Sequence, residues 1–306
     1  MPSVLYQVAL CIDSNYEKYA CTLINQIYKF QDNWSFQVHL FVIKGQDTRN
    51  IRQFCSENYT KLHVYEVDLE KHSKQFLTVG HVTQTAYLKV LIPEYLPKDI
   101  KKCTYLDVDV LILKDIEDLF EFDSEYPVSA VRNSGESWTH HVAFKEIEDK
   151  FNSGVLQFNL EKWRSLDITN KMLETHNKYG ALPYLDNDLL VLCLFDYEIA
   201  WGDLEPSFNV LDSKANRRSR SAAIVHFAGQ RKPWNSPFGG RFSRMYRREL
   251  RKVYPDFQIS PKHWKQFFTY VVLNFIYRLF LIPILKLKVK FFPYEPNQGK
   301  LRRTAR

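Results

Sequence analysis

Apolar and polar positions along this chain follow two periods, and the segments they define fall in a β-α-β-α-β order. Val4 to Ile12 is a nearly continuous apolar run and is predicted as a strand. Tyr16 to Phe30 places Tyr19, Ala20, Leu23, Ile24, Ile27 and Tyr28 on one face of a helix. Phe36 to Ile43 alternates as a strand, residues 47–59 have helical spacing, and Leu62 to Val67 reads as a third strand. This order predicts a parallel sheet with right-handed crossovers, in which ligands bind beyond the carboxyl ends of the strands. Asp13 and Asn15 stand at that end of the first strand, as ligand contacts, as helix caps, or as both.

Further along, residues 84–96 form a short apolar helix ended by Pro93, with Lys89 as its one basic residue. That lysine is either a surface residue covering apolar area or a cation directed at an anionic ligand. Tyr105 to Leu113 is apolar and β-branched apart from Asp107 and Asp109, and reads as one strand buried on both faces. Residues 116–120 are predicted helical and Val128 to Arg132 a strand, before a polar loop over 133–150 with Trp138, His140 and His141. Phe151 to Leu160 starts polar and small and continues as a strand. Glu161 to Tyr179 reads as one amphipathic helix, and Asp186-Asn187-Asp188 opens an apolar helix from Leu189 to Phe195. Ala222 to Phe227 is a short strand that ends at His226.

The chemistry centres on Asp107 and Asp109. Buried carboxylates must be paired, neutralised or bound to a cation, because desolvating them alone costs several kcal/mol at least. In an extended chain residues two apart face the same way, roughly 6.6 Å from each other, so both can converge on one divalent ion with bonds of about 2.1 Å. The competing reading is a solvated turn after a strand. His226, followed by Gly229 and Lys232, is either a structural histidine or a third metal ligand beside a phosphate-binding lysine. Asp186, Asn187 and Asp188 form either a helix N-terminus or a sugar-binding cluster. No Gly-x-Gly-x-x-Gly fingerprint of a dinucleotide site occurs.

Charge divides the chain. The net charge of +7 hides a basic segment: residues 241–306 hold 16 Lys and Arg against 3 acidic residues, leaving 26 basic and 32 acidic groups on residues 1–240. The same segment holds 14 aromatics. Residues 267–285 are apolar but include Asn274, Arg278 and Pro283, which suits an interfacial helix on an anionic membrane better than a spanning one. Packing on the body, spanning, and nucleic-acid binding are the alternatives, the last without any accompanying motif. The five scattered cysteines read as reduced thiols in a cytosolic setting, and no signal peptide is evident.

Taken together, Asp13-Ser14-Asn15-Tyr16, Tyr105-Leu106-Asp107-Val108-Asp109, Asn152-Ser153-Gly154-Val155, Asp186-Asn187-Asp188 and His226-Phe227-Ala228-Gly229 with Lys232-Pro233-Trp234 resemble glycosyltransferase family 8, over roughly residues 4–235. The resemblance implies an α/β GT-A fold over residues 1–240, a Rossmann-like nucleotide-binding sheet with an acceptor subdomain, followed by the helical basic and aromatic region 241–306. It implies a retaining hexosyltransferase using Mn²⁺ or Mg²⁺ and a UDP-hexose, galactose or glucose, with a glycan or lipid-linked acceptor such as lipopolysaccharide. Its implied locale is the inner face of the cytoplasmic membrane. By motif match Asp107, Asp109 and His226 hold the metal, Asp13 and Asn15 contact uracil and ribose, and Gly229 and Lys232 the diphosphate. Lys89, Asn152 and Asp188 line the donor sugar, with Asp186 and Asn187 at the reacting centre. Asn187 would stabilise an oxocarbenium-like state during front-face attack. Two departures are Lys89, where relatives often carry Arg, and Val191, where an Asn is common. The rival readings are a nucleotidyltransferase with a two-Asp metal site and a non-catalytic membrane-bound sugar-nucleotide-binding protein.

Overall fold

A computed structural model describes residues 4–31, 34–68, 84–133, 147, 149–180, 182, 185–212, 221–229, 231–237 and 240–276. The expected loop over 133–150 and the end of the apolar stretch 267–285 lie largely outside these residues. Two compact units are distinguished: residues 1–233 with 239–257, and residues 234–238 with 258–306.

The first unit is built on a seven-stranded sheet of order β3-β2-β1-β4-β7-β6-β8. Its strands are β1 Leu5–Cys11, β2 Ser35–Ile43, β3 Lys61–Val67, β4 Lys102–Leu106, β6 Val128–Arg132, β7 Phe151–Asn159 and β8 Gly202–Asp203. β1, β2, β3 and β4 run parallel, as the alternation with α1 Glu17–Tyr28 and α2 Arg49–Glu57 predicts. β7 enters antiparallel between β4 and β6. Its amino end therefore lies at the same sheet edge as the carboxyl ends of β1 and β4. Pairing between β6 and β7 jumps from Ala130–Leu156 to Val131–Asn152, so Ser153, Gly154 and Val155 bulge out of that ladder.

The expected single strand over 105–113 is two strands. β4 stops at Leu106, the chain turns through Asp107, Val108 and Asp109, and β5 (Val110–Ile112) begins a second sheet of order β5-β10-β9. β9 is Val210–Leu211 and β10 is Ile224–His226. The aspartates thus occupy a turn, not extended backbone. The turn is solvated on one side only, for Asp109 is 6% exposed while the Asp107 side chain is 29% exposed.

Four other segments differ from their sequence patterns. The helix α3 (Leu88–Tyr95) continues past Pro93, and Arg164 supplies its terminus: Nε donates to Pro93 O at 2.7 Å and Nη2 to Leu96 O at 2.7 Å. The segment expected as one helix over 161–179 is α5 (Leu160–Ser165) and α6 (Ile168–Tyr179), broken at Asp167, whose φ is 53°. After α4 (Glu117–Glu121), the Asp186-Asn187-Asp188 triplet falls inside the first turn of α7 (Leu185–Asp196), not ahead of it. Finally, α8 (Arg241–Val253) belongs to the first unit. Its stripe of Phe242, Tyr246 and Leu250 is buried, and the helix packs against α1 and β5. Charge alone had grouped residues 241–257 with the basic tail.

In the second unit, α9 (Pro261–Ile276) carries exposed Trp264, Phe268 and Val272 at four-residue spacing. The rings of Trp264 and Phe268 stack at 6.0 Å. No helix among the described residues is long and apolar enough to cross a membrane.

Candidate metal and nucleotide-sugar site

Register places the functional groups. β10 runs antiparallel to β5 with His226 opposite Val110, the residue after Asp109, and Phe227 N donates to Asp109 O at 3.0 Å. On the other edge Asp107 N donates to Gly154 O at 2.8 Å. The turn between the two sheets is therefore stitched to β7 on one side and to β10 on the other.

Three ligand atoms converge there. His226 Nε2 lies 3.5 Å from Asp107 Oδ2 and 3.3 Å from Asp109 Oδ1, and the donor atoms of all three residues lie within 4.8 Å of one another. Two cis ligands of an octahedral ion with bonds of about 2.1 Å sit about 3 Å apart, so the set fits one divalent cation after small closure. The mixed carboxylate and imidazole donors suit a hard to borderline ion. Lys232 Nζ bonds the other oxygen of Asp109 and donates to Phe227 O at 3.0 Å. Burial would raise the Asp109 pKa, but His226 and Lys232 outweigh it and hold the carboxyl well below the usual carboxylate range.

Glycine at 154 is a steric requirement. A Cβ there would lie 2.1 Å from His226 Cε1, 2.5 Å from Nδ1 and 2.9 Å from Nε2. The imidazole, 3% exposed, is packed closely against the backbone of the β7 bulge at Gly154. Nδ1, the nitrogen turned away from the carboxylates, meets Asn152 Oδ1 at 2.9 Å and Asn209 Oδ1 at 3.0 Å.

A second cluster shares Ser153. Lys89, 5% exposed, donates from Nζ to Ser153 O at 3.0 Å, Ser153 Oγ at 3.1 Å and Asp186 Oδ2 at 2.7 Å, and lies 3.6 Å from Asp107 Oδ1. Its ammonium also stands 4.5 Å from the centre of the Tyr105 ring, whose hydroxyl donates to Asp107. Burial disfavours the ammonium, but Asp107 and Asp186 more than compensate and push its pKa up. Lys89 is thus a buried, paired cation in the site and not a surface lysine. Ser153 N donates to Asn187 Oδ1 at 2.7 Å, which leaves the buried Asn187 Nδ2 without a protein partner among the described residues. Asp188 beside it has no exposed surface.

Asp13 caps the turn after β1, its Oδ1 accepting from Asn15 N at 2.8 Å, while Asn15 itself is exposed. Burial raises the Tyr16 pKa, and Lys232, Asp109 and Asp13 all act on that phenol, so the end of β1 borders the carboxylate turn. Gly229, at φ +92°, makes the left-handed turn between His226 and Lys232 that an L side chain would strain. Behind the site, Tyr246 OH donates to Val108 O at 3.3 Å and its ring packs edge-on against Phe227 at 5.6 Å. Arg247 Nη1 donates to Pro233 O at 2.8 Å. Helix α8 therefore braces the carboxylate turn, the residue after His226 and the residue after Lys232.

Ser153, Asn209 and Tyr246 are parts of the site to which the sequence patterns gave no role. Ser153 stood within a noted motif without an assigned contact, Asn209 sits in a short turn after Pro206, and Tyr246 was concealed in a basic run.

Solved structures resemble this architecture. The galactosyltransferase LgtC in complex with donor and acceptor sugar analogues superposes with a TM-score of 0.68 at 20% identity, over 85% of this chain and 99% of LgtC. The glycosyltransferase GlyE of Streptococcus pneumoniae TIGR4 superposes with a TM-score of 0.59 at 21% identity, over 81% of this chain and 60% of GlyE. The fold is thus that of the GT-A glycosyltransferases. At the sequence level, general stress protein A of Bacillus subtilis is 29% identical over 261 residues, 76% of this chain and 88% of that protein. The lipopolysaccharide 1,3-galactosyltransferase of Salmonella typhimurium is 22% identical over 76% of this chain and 73% of its own length. The model of glycosyl transferase family 8 matches residues 7–237, and the chain belongs to that family.

Proposed function

We propose that this chain is a retaining, metal-dependent hexosyltransferase that moves galactose or glucose from a UDP-sugar to a glycan acceptor of the lipopolysaccharide kind at an anionic membrane surface. The observation that carries the metal-dependent part is the convergence of Asp107, Asp109 and His226. These residues would hold Mn²⁺ or Mg²⁺, which when bound supplies positive charge to the diphosphate leaving group. Lys232, beyond Gly229 and beside Asp109, adds a second cation for the negative charge that builds on departing UDP. Asp13 and Asn15, at the end of β1, would take the uracil and ribose.

Asp186 is an unpromising nucleophile, because its carboxylate is bound to the Lys89 ammonium and the Ser153 hydroxyl. This favours attack by the acceptor on the face from which UDP leaves. Asn187 directs its oxygen to Ser153 N, so the group it has to offer is its amino group, a donor. We therefore assign it a hydrogen bond to an oxygen of the donor sugar or the diphosphate, in place of the cation-stabilising role expected from the motif. Asn152 and Lys89 complete that wall. In the second unit, the Trp264, Phe268 and Val272 face and the ten basic residues of 258–306 support association with anionic lipid, at about 1 kcal/mol for each basic residue near the surface.

The test is incubation of the full chain with Mn²⁺ and a panel of nucleotide sugars, with and without chelator. Chelator-sensitive release of UDP from UDP-galactose or UDP-glucose is expected. Release of pyrophosphate would replace the reading with nucleotidyl transfer, and binding of UDP without any turnover would replace it with a binding protein.

A further inference from the structure

The hydrogen bonds behind His226 determine which of its nitrogens faces the carboxylates. Gly154 N donates to the Asn152 side chain at 3.1 Å, so the accepting atom there is the amide oxygen. The Asn209 side chain donates to Asn152 O at 3.1 Å and to Asn152 Oδ1 at 2.9 Å. Only an amino group can do so, which leaves the Asn209 oxygen directed at His226 Nδ1. Nδ1 thus faces two acceptors, each oriented by a bond that cannot be reversed. A hydrogen on Nδ1 satisfies both, whereas a lone pair there would oppose two oxygens in a buried site.

We propose that Asn209, acting with Asn152, is a positioning residue that keeps the hydrogen of His226 on Nδ1 and so presents the Nε2 lone pair between Asp107 and Asp109 to a divalent cation. The inference rests on reading those three residues as the metal site. Ring nitrogens opposite a metal are commonly oriented in this way, and loss of the orienting group costs about 10–100-fold in metal affinity. Strand register gives the arrangement its cause: β9 runs parallel to β10 with Leu211 opposite His226, which sets Asn209, two residues earlier, behind the ring. It also limits Asn152 as a sugar contact, since its oxygen already accepts three hydrogen bonds.

Two readouts test this without turnover. In the metal-free full chain labelled with ¹⁵N-histidine, two-bond NMR correlations of His226, assigned by their loss in His226→Gln, should report hydrogen on Nδ1. A neutral His226 ring with hydrogen on Nε2 and a bare Nδ1 in the unaltered chain would overturn the proposal whatever the variants do, whereas an imidazolium with hydrogen on both nitrogens, as two facing carboxylates favour in the absence of metal, keeps Nδ1 as assigned. Mn²⁺ titration followed by electron paramagnetic resonance should show about 10–100-fold weaker binding in Asn209→Ala. Unchanged tautomer and Mn²⁺ affinity in Asn209→Ala would also overturn it. If the unaltered chain holds hydrogen on Nδ1 and loses it in Asn209→Ala yet binds no Mn²⁺, the positioning stands and the metal reading falls.

Discussion

Replacing Gly154 with alanine puts one methyl group against the ring of His226. The added Cβ would start 2.1 Å from Cε1, whereas carbon atoms in contact rest at roughly 3.5 Å, so the ring must retreat by about 1.4 Å or the β7 backbone must move as far. Neither motion is free. The ring is fixed by Asn152 and Asn209, and Gly154 O accepts from Asp107 N, so moving the backbone drags a carboxylate with it. A retreat of that size carries Nε2 away from its 3.3 Å and 3.5 Å separations from Asp109 and Asp107 and out of range of a shared cation. Overpacking of this kind costs about 1–3 kcal/mol of stability, which leaves a folded protein to measure. Misplacement of a reacting group by about 1 Å costs on the order of 100-fold in rate. The assays are Mn²⁺ affinity by electron paramagnetic resonance and UDP release at saturating donor, with circular dichroism as a check on folding. Gly154→Ala with unaltered Mn²⁺ affinity and turnover would refute the geometry.

Asp109→Asn should abolish Mn²⁺ binding and UDP release while the far-ultraviolet circular dichroism is retained; normal turnover would remove Asp109 from the metal site. Lys89→Met strips the cation from Asp186 and should cost about 3 kcal/mol in urea unfolding, as for other buried pairs broken on one side; a loss under about 1 kcal/mol would show that the pair is idle. Burial, with His63 and Lys61 nearby, lowers the His39 pKa to about 4 from an ordinary value near 6.5. Protonation therefore opposes folding: the contribution is complete above about pH 6.5 and is lost as pH falls through 4, with a ceiling of about 3 kcal/mol. His39→Gln should show a smaller fall in urea midpoint between pH 7 and pH 4, and an equal fall would exclude His39 as the cause. Deleting residues 258–306 should release the chain from phosphatidylglycerol vesicles in a sedimentation assay, and undiminished binding would exclude that segment as the anchor.

How much was legible in the sequence depended on how local the cause was. Strands β1 to β3 and helices α1 and α2 were read correctly because each carries its own hydrophobic period. The run Tyr105–Leu113 was misread as one strand because both halves are genuine buried strands; only their membership in different sheets puts a turn at Asp107–Asp109, and that depends on β10 more than a hundred residues later. Pairing between separate elements also hid the role of Asn209, 17 residues from His226, and the bond between Ser153 and Lys89, 64 residues apart. Charge obscured α8, where six basic residues surround a buried stripe of Phe242, Tyr246 and Leu250. The convergence of Asp107, Asp109 and His226 was legible from motif order, yet not from extended-chain spacing, which the turn replaces.

The most direct test of the metal site is a crystal of the full chain grown with Mn²⁺ and UDP, with anomalous scattering recorded near the manganese edge. A single strong peak bonded to Asp107, Asp109 and His226 Nε2 is predicted. A peak coordinated elsewhere, or UDP bound with no peak between these three residues, would contradict the account.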